Sequence, residues 1–239
     1  MAFFWSLVFV DPLIILSTLF FGLISLVASP FDRSGEFMMK TARIWARSLL
    51  AIAGVRVKIE GLEKLIPGAS YVFASNHLSY MDSPVILTHI PVDFRFMAKD
   101  GLFKIPLLGT HLSQAGHIPV PRHDPRAAIK TLTLAADSIR TRNISLLIFP
   151  EGGRSHDGIL QPFKDGAAYI AIKATVPVVP LAISGTREIL AMHSATFHRG
   201  HVTLRIGDPI PTDGFTLHDR KSVTDSTRNT VVALLDAAL

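Results

Sequence analysis

The sequence contains no cysteine and few charged residues for its length of 239. The absence of cysteine excludes disulfide bonds, thiolate metal sites and a cysteine nucleophile. Charged residues make up 18% of the chain, below the roughly 25% of average soluble domains, whereas hydrophobic residues make up 49%. This apolar content excludes a disordered chain, and the length allows one large domain with a substantial core.

Charge is almost missing from the N-terminus. Residues 1–31 include one charged side chain, Asp11, and residues 12–31 include none. As a helix, the uncharged run would extend for about 30 Å, the thickness of a bilayer core. All 24 Lys and Arg residues follow it, so the positive-inside rule predicts that the rest of the chain faces the cytoplasm. We expect membrane insertion, either spanning or half-embedded.

Residues 36–53 predict an amphipathic helix beside this run. Lys40, Arg43 and Arg47 repeat at helical spacing on one face, and Trp45 lies on the apolar face. A basic face opposite a tryptophan suits an anionic lipid surface, although an ordinary helix packed on the domain has the same pattern. The neighbouring apolar run favours the lipid interpretation.

From residue 55 the sequence alternates β-rich runs with helical stretches. The predicted strands are 55–59, 70–75, 93–97, 116–120, 144–149, 177–183 and 201–206, and the predicted helices are 124–141, 166–174 and 219–239. This alternation predicts an α/β domain, with a central β-sheet flanked by helices. We therefore expect N-terminal membrane-anchoring helices over 1–54 and the α/β domain over 55–239.

Candidate catalytic residues follow the predicted strand at 70–75. His77 and Asp82 lie in the crossover to the next helix, for which Ser83 is the predicted N-cap and Pro84 the first helical residue. Open α/β sheets bind ligands at such strand ends. In a compact turn, the carboxylate can hold one imidazole nitrogen while the other takes a proton. A capping cluster with a surface histidine has the same spacing.

Candidate anion-binding residues follow two further strands. Arg122 ends the stretch 116–122, and Glu151-Gly152-Gly153-Arg154 follows the most apolar strand. Glycines let backbone amides approach an anion, and guanidinium groups suit phosphate oxygens; a glycine turn with solvated arginines is the plainer alternative. P-loop and dinucleotide-binding fingerprints are absent from the sequence. Three strand ends would bring the His77–Asp82 pair and these anion-binding residues to one edge of the sheet.

Taken together, these motifs resemble those of the glycerolipid acyltransferases, specifically the 1-acylglycerol-3-phosphate acyltransferases. The run from Asn76-His77 to Asp82 is similar to their N-H-x4-D motif. The other matching segments, in the family's order, are 99–106, 116–122, 149–155, 162–167 and 176–180. Gly153 stands where a threonine is common in the family.

The resemblance implies transfer of a fatty acyl group from acyl-CoA or acyl carrier protein to the sn-2 hydroxyl of 1-acylglycerol-3-phosphate. The product is phosphatidic acid, in phospholipid biosynthesis. His77 would be the general base and Asp82 would orient it. The residues implied to bind the phosphate and glycerol are Arg122, Glu151, Gly152, Gly153, Arg154 and Lys99. We expect no metal and no cofactor, since the thioester is a co-substrate, and no nucleic-acid partner, since the net charge of +5 is modest.

Other interpretations stay open at this point. The same chemistry could act on glycerol 3-phosphate, another lysophospholipid or an acylated amine lipid. A non-catalytic membrane lipid-binding protein of the same fold is a further alternative, although the sequence retains both His77 and Asp82. An acyl-enzyme would need a serine such as Ser79, which we do not favour. The resemblance also leads us to expect a bacterial inner membrane, with the catalytic domain on the cytoplasmic side.

Overall fold

The computed structural model describes residues 2–32, 34–121 and 124–237. Its strands are β1 (Val55–Glu60), β2 (Val72–Ser75), β3 (Phe94–Lys99), β4 (Ile118–Val120), β5 (Ser145–Ile148), β6 (Val178–Ser184) and β7 (Gly200–Ile206). They form one sheet with the order β1-β7-β6-β2-β5-β3-β4. All seven predicted strands are confirmed, with ends within two residues of those expected.

Helices precede, connect and follow the strands. They are α1 (Ala2–Trp5), a π-helical turn (Ser6–Val10), α2 (Asp11–Ala28), α3 (Glu36–Ile52), α4 (Asp82–His89), α5 (Leu108–Gln114), α6 (Pro125–Arg142), α7 (Gly166–Ala174), α8 (Thr186–Ile189) and α9 (Arg220–Asp236). Two 3₁₀ turns cover Leu62–Lys64 and Asp100–Lys104. The three helices predicted in the α/β domain are confirmed as α6, α7 and α9.

The start of α4 differs from the prediction. The helix begins at Asp82 with Met81 at the N-cap, so the predicted cap at Ser83 is wrong by two residues. The reason is that the first helical hydrogen bond already forms from the Val85 amide to the Met81 carbonyl, at 3.1 Å. Asp82 therefore belongs to the rigid first turn of a helix and not to the preceding loop.

The parallel strands point their carboxyl ends to one edge of the sheet. β2 pairs parallel with both β5 and β6, and β3 pairs parallel with both β5 and β4. β7 runs antiparallel to β6 and parallel to β1. The loops that follow β4, β3, β5, β2 and β6 consequently lie side by side along this edge, as the sequence predicts for its candidate site residues.

Helices cover both faces of the sheet, and the strands alternate their side chains between two cores. On β2, Phe73 packs in the core beneath α3 and α4, while Val72 and Ala74 pack in the core beneath α6 and α7. Leu147 and Leu146 of β5 divide in the same way. Strands buried on both faces read as continuous apolar runs, which is why β2, β5 and β6 are conspicuous in the sequence.

The N-terminal helix, made of α1, the π-helical turn and α2, lies along the flank of the domain. Within the described residues, Phe3–Ala28 is the one helix that is long and apolar enough to cross a membrane. Its side chains contact the domain at three levels. Ser6 accepts from the Phe197 amide (2.8 Å), Ser17 hydrogen-bonds Ser48 of α3 (2.7 Å), and Ser25 contacts His111 of α5 (3.0 Å). Most of its large apolar side chains are exposed.

The predicted amphipathic helix at 36–53 is confirmed as α3, but one of its basic residues does not belong to a lipid-facing surface. Lys40 and Arg47 are exposed. Arg43 instead turns toward the end of α4 and donates to the carbonyls of Ile90 (2.6 Å) and Val92 (2.8 Å). These carbonyls lie at and beyond the helix end, where the chain provides no helical donor, so the expected three-residue basic face is reduced to two.

Candidate active site

His77, in the turn between β2 and α4, meets Asp82, the first residue of α4. His77 Nδ1 lies 2.7 Å from Asp82 Oδ2, and both side chains are buried. The same carboxylate oxygen accepts the backbone amides of Leu78 (2.6 Å) and Ser79 (2.8 Å). These bonds fold the turn back on itself, which brings together two residues that five positions would separate on a helix. The proton on Nδ1 can then point to the carboxylate, so that Nε2 is the basic atom.

Thr186, at the start of α8, binds the other oxygen of Asp82. Its hydroxyl donates to Oδ1 at 2.5 Å, and the residue is fully buried. Because β6 is parallel to β2, the loop after β6 ends at the same edge as the loop after β2. Four donors therefore fix the orientation of a single carboxylate. The sequence analysis missed Thr186; the available signal was its position two residues after an apolar strand.

The ring of His77 is held from the side by Phe149, which follows β5. The two ring centroids are 3.8 Å apart, and the planes are 13° from parallel. A stacked aromatic neighbour restricts rotation of the imidazole and excludes water from one of its faces. The sequence analysis included Phe149 in a motif but assigned it no role.

Glu151 ties the main chain of the β5 loop to that of the β2 loop. Its Oε1 accepts the His77 amide at 2.6 Å, and its Oε2 accepts the Gln161 amide at 2.8 Å. The Ser155 amide in turn donates to the His77 carbonyl at 2.9 Å. Burial raises the pKa of the Glu151 carboxyl above its ordinary value, and the two backbone amides oppose this shift. Glu151 is thus engaged with the backbone, while its expected contact with glycerol hydroxyls stays a prediction.

Positively charged side chains surround the glycines after Glu151. The Arg154 guanidinium lies over the ring of Tyr80, with 3.8 Å between its Cζ and the ring centroid, so it belongs to the same loop cluster as His77. Gly152 has a φ of 79°, and a Cβ built on it would lie 2.7 Å from Lys164 Nζ. Lys164 is consequently a second cation beside the glycine turn, which the sequence analysis did not assign to the site. Gly153 faces open space.

The two remaining predicted anion binders lie farther along the edge. Lys99 is exposed at the carboxyl end of β3, which β5 separates from β2. Its aliphatic stem lies over Gly101, since a Cβ there would be 3.7 Å from Lys99 Cε. Arg122 follows β4 but lies outside the described residues. The structure therefore unites His77, Asp82, Glu151 and Arg154 in one cluster and places Lys99 at its periphery.

Ser79, the one serine considered as a nucleophile, is fully buried. Its hydroxyl donates to the Leu190 carbonyl at 2.7 Å and accepts the Met81 amide at 3.1 Å. These bonds attach the turn after β2 to the segment after α8. The hydroxyl is thus occupied in holding the turn.

Residues 56–184 match the family model described as Acyltransferase. A chloroplastic 1-acyl-sn-glycerol-3-phosphate acyltransferase of Brassica napus is 37% identical over 184 residues, which cover 75% of this chain and 52% of the relative. The 1-acyl-sn-glycerol-3-phosphate acyltransferase alpha of Homo sapiens is 30% identical over 196 residues, which cover 82% of this chain and 69% of the relative.

A solved structure extends the similarity to nearly the whole chain. The crystal structure of the 1-acyl-sn-glycerophosphate acyltransferase PlsC from Thermotoga maritima matches with a TM-score of 0.80 at 27% sequence identity, and covers 98% of both chains. By contrast, the chain spans about half the length of the plant relatives from Brassica napus and Arabidopsis thaliana.

Proposed function

Because the chain belongs to the acyltransferase family, we propose that it transfers a fatty acyl group from an acyl thioester to the sn-2 hydroxyl of 1-acylglycerol-3-phosphate, giving phosphatidic acid. The observation that carries the proposal is the contact of 2.7 Å between His77 Nδ1 and Asp82 Oδ2 at the carboxyl edge of the sheet. The family likeness and the names of the similar proteins support the choice of acceptor.

In the first step, His77 Nε2 takes the proton of the acceptor hydroxyl as its oxygen attacks the thioester carbonyl carbon. Asp82 keeps the other ring nitrogen protonated and stabilises the imidazolium that forms. The carbonyl π electrons move onto oxygen, which gives a tetrahedral intermediate. We propose the Gly153 amide as the donor for this oxyanion, since the Gly152 amide already donates to the Phe149 carbonyl at 3.0 Å.

In the second step, the intermediate collapses and the carbon–sulfur bond breaks. The sulfur leaves with the bonding electron pair, and the imidazolium returns its proton to the thiolate. The products are a free thiol and the new oxygen ester, so His77 ends in its starting state. No acyl-enzyme is required, in keeping with the structural engagement of the Ser79 hydroxyl.

We assign the acceptor phosphate to the cations near the glycine turn. Arg154 stands on Tyr80 beside the turn that holds His77, and Lys164 lies against Gly152. A guanidinium group can bind two phosphate oxygens at once. Lys99 and Arg122 are further candidates for the phosphate or for the anionic donor, which is a coenzyme A or an acidic carrier-protein thioester.

We propose that the N-terminal helix is half-embedded in the membrane. One flank binds the domain through Ser6, Ser17 and Ser25 along nearly its whole length. A helix held this way lies along α3 and α5, so that its exposed apolar flank can enter one leaflet of the bilayer. This arrangement suits a bacterial inner membrane with the domain on the cytoplasmic side, and it keeps the active site near the headgroups of lipid substrates.

The test is thiol release from acyl-CoA by the purified protein in detergent, with 1-acylglycerol-3-phosphate or glycerol 3-phosphate as the acceptor. We expect release only with the first acceptor, together with formation of phosphatidic acid. Release with glycerol 3-phosphate alone would move the activity to a different acceptor. Binding of lysophosphatidate without release from acyl-CoA or acyl carrier protein would favour a lipid-binding protein.

The base is tested with His77→Ala and with a matched change in an exposed histidine, His218→Ala. We expect the first variant to lose essentially all thiol release, because removal of a general base commonly costs a factor of about 100 to 10,000. The second variant should behave like the unmodified chain. Full activity of His77→Ala would contradict the mechanism.

A further inference from the structure

We propose that residues 102–108, from the 3₁₀ turn after β3 to the first residue of α5, form a second membrane-contacting element that inserts into the headgroup region beside the N-terminal helix. The inference rests on the proposed function in that both need the carboxyl edge of the sheet to face a lipid surface. It adds a specific segment, which the proposed chemistry does not require.

The 102–108 segment exposes large apolar side chains that the fold leaves uncovered. Leu102, Ile105 and Leu108 are 36%, 46% and 39% exposed. The backbone of the segment is held firmly: a Cβ on Gly109 would lie 2.1 Å from the Phe103 carbonyl oxygen, so the chain turns back on itself in close contact. Uncovered apolar side chains on a fixed turn are typical of a contact surface.

Leu107 connects this segment to the N-terminal helix. Its φ is 64°, a conformation that is unfavourable for a bulky side chain. Its Cδ1 would lie 3.8 Å from a Cβ on Gly22 of α2. His111, one turn into α5, contacts Ser25 of the same helix. The exposed side chains of the segment therefore continue the apolar flank of α2.

The charges around the segment suit anionic headgroups. Lys99 and Lys104 are both exposed, the first three residues before the segment and the second within it. Asp100, the acidic residue between them, accepts the Gly101 amide at 2.8 Å and so turns back toward its own backbone. Apolar side chains flanked by lysines match the boundary between acyl chains and phosphates of a bilayer.

The segment lies at the same edge of the sheet as the proposed catalytic residues. It starts three residues after Lys99, the last residue of β3, at the same sheet edge that presents His77. Insertion here would hold that edge at the level of the headgroups. An acceptor lipid could then reach the site with its acyl chain still in the bilayer.

Depth measurements in vesicles test the proposal on the full chain. Because the sequence has no cysteine, Ile105→Cys and Leu108→Cys each provide a single thiol for an environment-sensitive fluorophore. We use vesicles of equimolar phosphatidylcholine and phosphatidylglycerol, with lipids that carry a quencher high on the acyl chain. The matched control is Ile66→Cys, since Ile66 is 67% exposed but lies before β2, at the opposite edge of the sheet.

We expect blue-shifted emission and strong quenching at positions 105 and 108, and neither effect at position 66. Equal behaviour at all three positions would overturn the proposal. The fluorophore at position 105 could instead be shielded without lipid quenching while the protein self-associates. That result would assign the surface to a second copy of the chain and would also overturn the proposal. None of these readouts needs catalysis, so they stand even if the proposed acyl transfer fails.

A kinetic comparison gives an independent readout. The double variant Leu102→Gln/Ile105→Gln should raise KM for a long-chain acceptor in vesicles several-fold and leave kcat unchanged. The same variant should leave KM for a short-chain, water-soluble acceptor unchanged. An equal change for both acceptors would show a local structural effect and would contradict membrane insertion.

Discussion

The imidazole of His77 lies flat against the phenyl ring of Phe149, with 3.8 Å between the ring centroids. Because this ring restricts rotation of the proposed base, we expect Phe149→Leu to lower kcat about two- to tenfold, in line with about 0.5–1.5 kcal/mol for an aromatic pair. Phe149→Tyr retains the stacking and should retain activity. Steady-state kinetics decide, and equal activity of both variants would show that stacking is unimportant.

The hydroxyl of Thr186 should support catalysis by holding the carboxylate of Asp82 in place. Thr186→Val leaves Asp82 Oδ1 without its donor, so the carboxylate can rotate away from His77, and we expect kcat to fall roughly 10-fold. Thr186→Ser restores the hydroxyl and should restore kcat. A uniform loss in the two variants would indicate a packing role only.

Glu151 should show both a mutational and a pH effect. Glu151→Gln replaces one acceptor oxygen with an amide group that faces a backbone donor, and we expect kcat to fall about 10- to 100-fold. Since burial raises the pKa of Glu151, the unmodified carboxyl gains its proton at a higher pH than an ordinary glutamate. Activity should therefore start to fall correspondingly early in acid. The pH–rate profile of the variant should lack this component; an identical acid limb would exclude Glu151 as its source.

Two neighbouring glycines provide a matched pair for stability. Gly152 has a positive φ, and a Cβ there would displace Lys164 Nζ. We expect Gly152→Ala to cost about 1 kcal/mol and to lower Tm by about 2–4 °C. A Cβ on Gly153 meets open space, so Gly153→Ala should leave Tm unchanged. Thermal unfolding of the two variants checks this, and equal shifts would contradict the assigned backbone conformations.

His117 should make the fold sensitive to acid. Burial, together with the charges of His111 and Arg95, lowers the pKa of His117 to about 3. Its Nδ1 accepts the Phe96 amide at 2.9 Å, which requires the unprotonated nitrogen. The unfolded chain binds this proton near pH 6.5, so stability should fall as the pH drops from about 6.5 toward 3, by on the order of 5 kcal/mol.

Replacement of His117 by a neutral acceptor tests this expectation. His117→Asn keeps an acceptor atom near the Phe96 amide but removes the titration. The free energy of unfolding, measured by chemical denaturation between pH 7 and 4, should decline less steeply in this variant than in the unmodified chain. His218→Asn, at an exposed position, should not alter the slope. Parallel curves for all three proteins would show that other groups cause the acid sensitivity.

Much of the fold follows from local patterns in the sequence. β2, β5 and β6 are buried on both faces and therefore read as apolar runs, and Asp124 with Pro125 marks the start of α6, where the Asp124 carboxylate accepts two backbone amides. The α3 pattern shows the limit of this reasoning. Its periodicity is the same for a lipid-facing helix and a packed helix, and only the distant carbonyls of Ile90 and Val92 decide the place of Arg43.

The candidate site likewise includes residues that local sequence predicts and residues that only the tertiary structure brings together. His77 and Asp82 are close in the sequence, and their motif is sufficient to predict that they meet. Thr186 lies 104 residues from Asp82, and the loop after β6 reaches it only because of the strand order. The sequence did not predict Lys164 as a site residue, because its proximity to Gly152 depends on the path of the long loop after β5.

The backbone bonds between the β2 and β5 loops have a geometric consequence. The amide and the carbonyl of His77 are both tied to the β5 loop, through Glu151 and the Ser155 amide. Arg154 precedes Ser155 in that loop, so main-chain bonds fix the spacing between the backbones of His77 and Arg154, and the ring of Tyr80 holds the guanidinium group. The distance between His77 and Arg154 is therefore fixed by the fold. If His77 is the base and Arg154 binds the acceptor phosphate, as we propose, this fixed spacing would favour substrates with a matching distance between hydroxyl and phosphate and would thereby select the hydroxyl that is acylated.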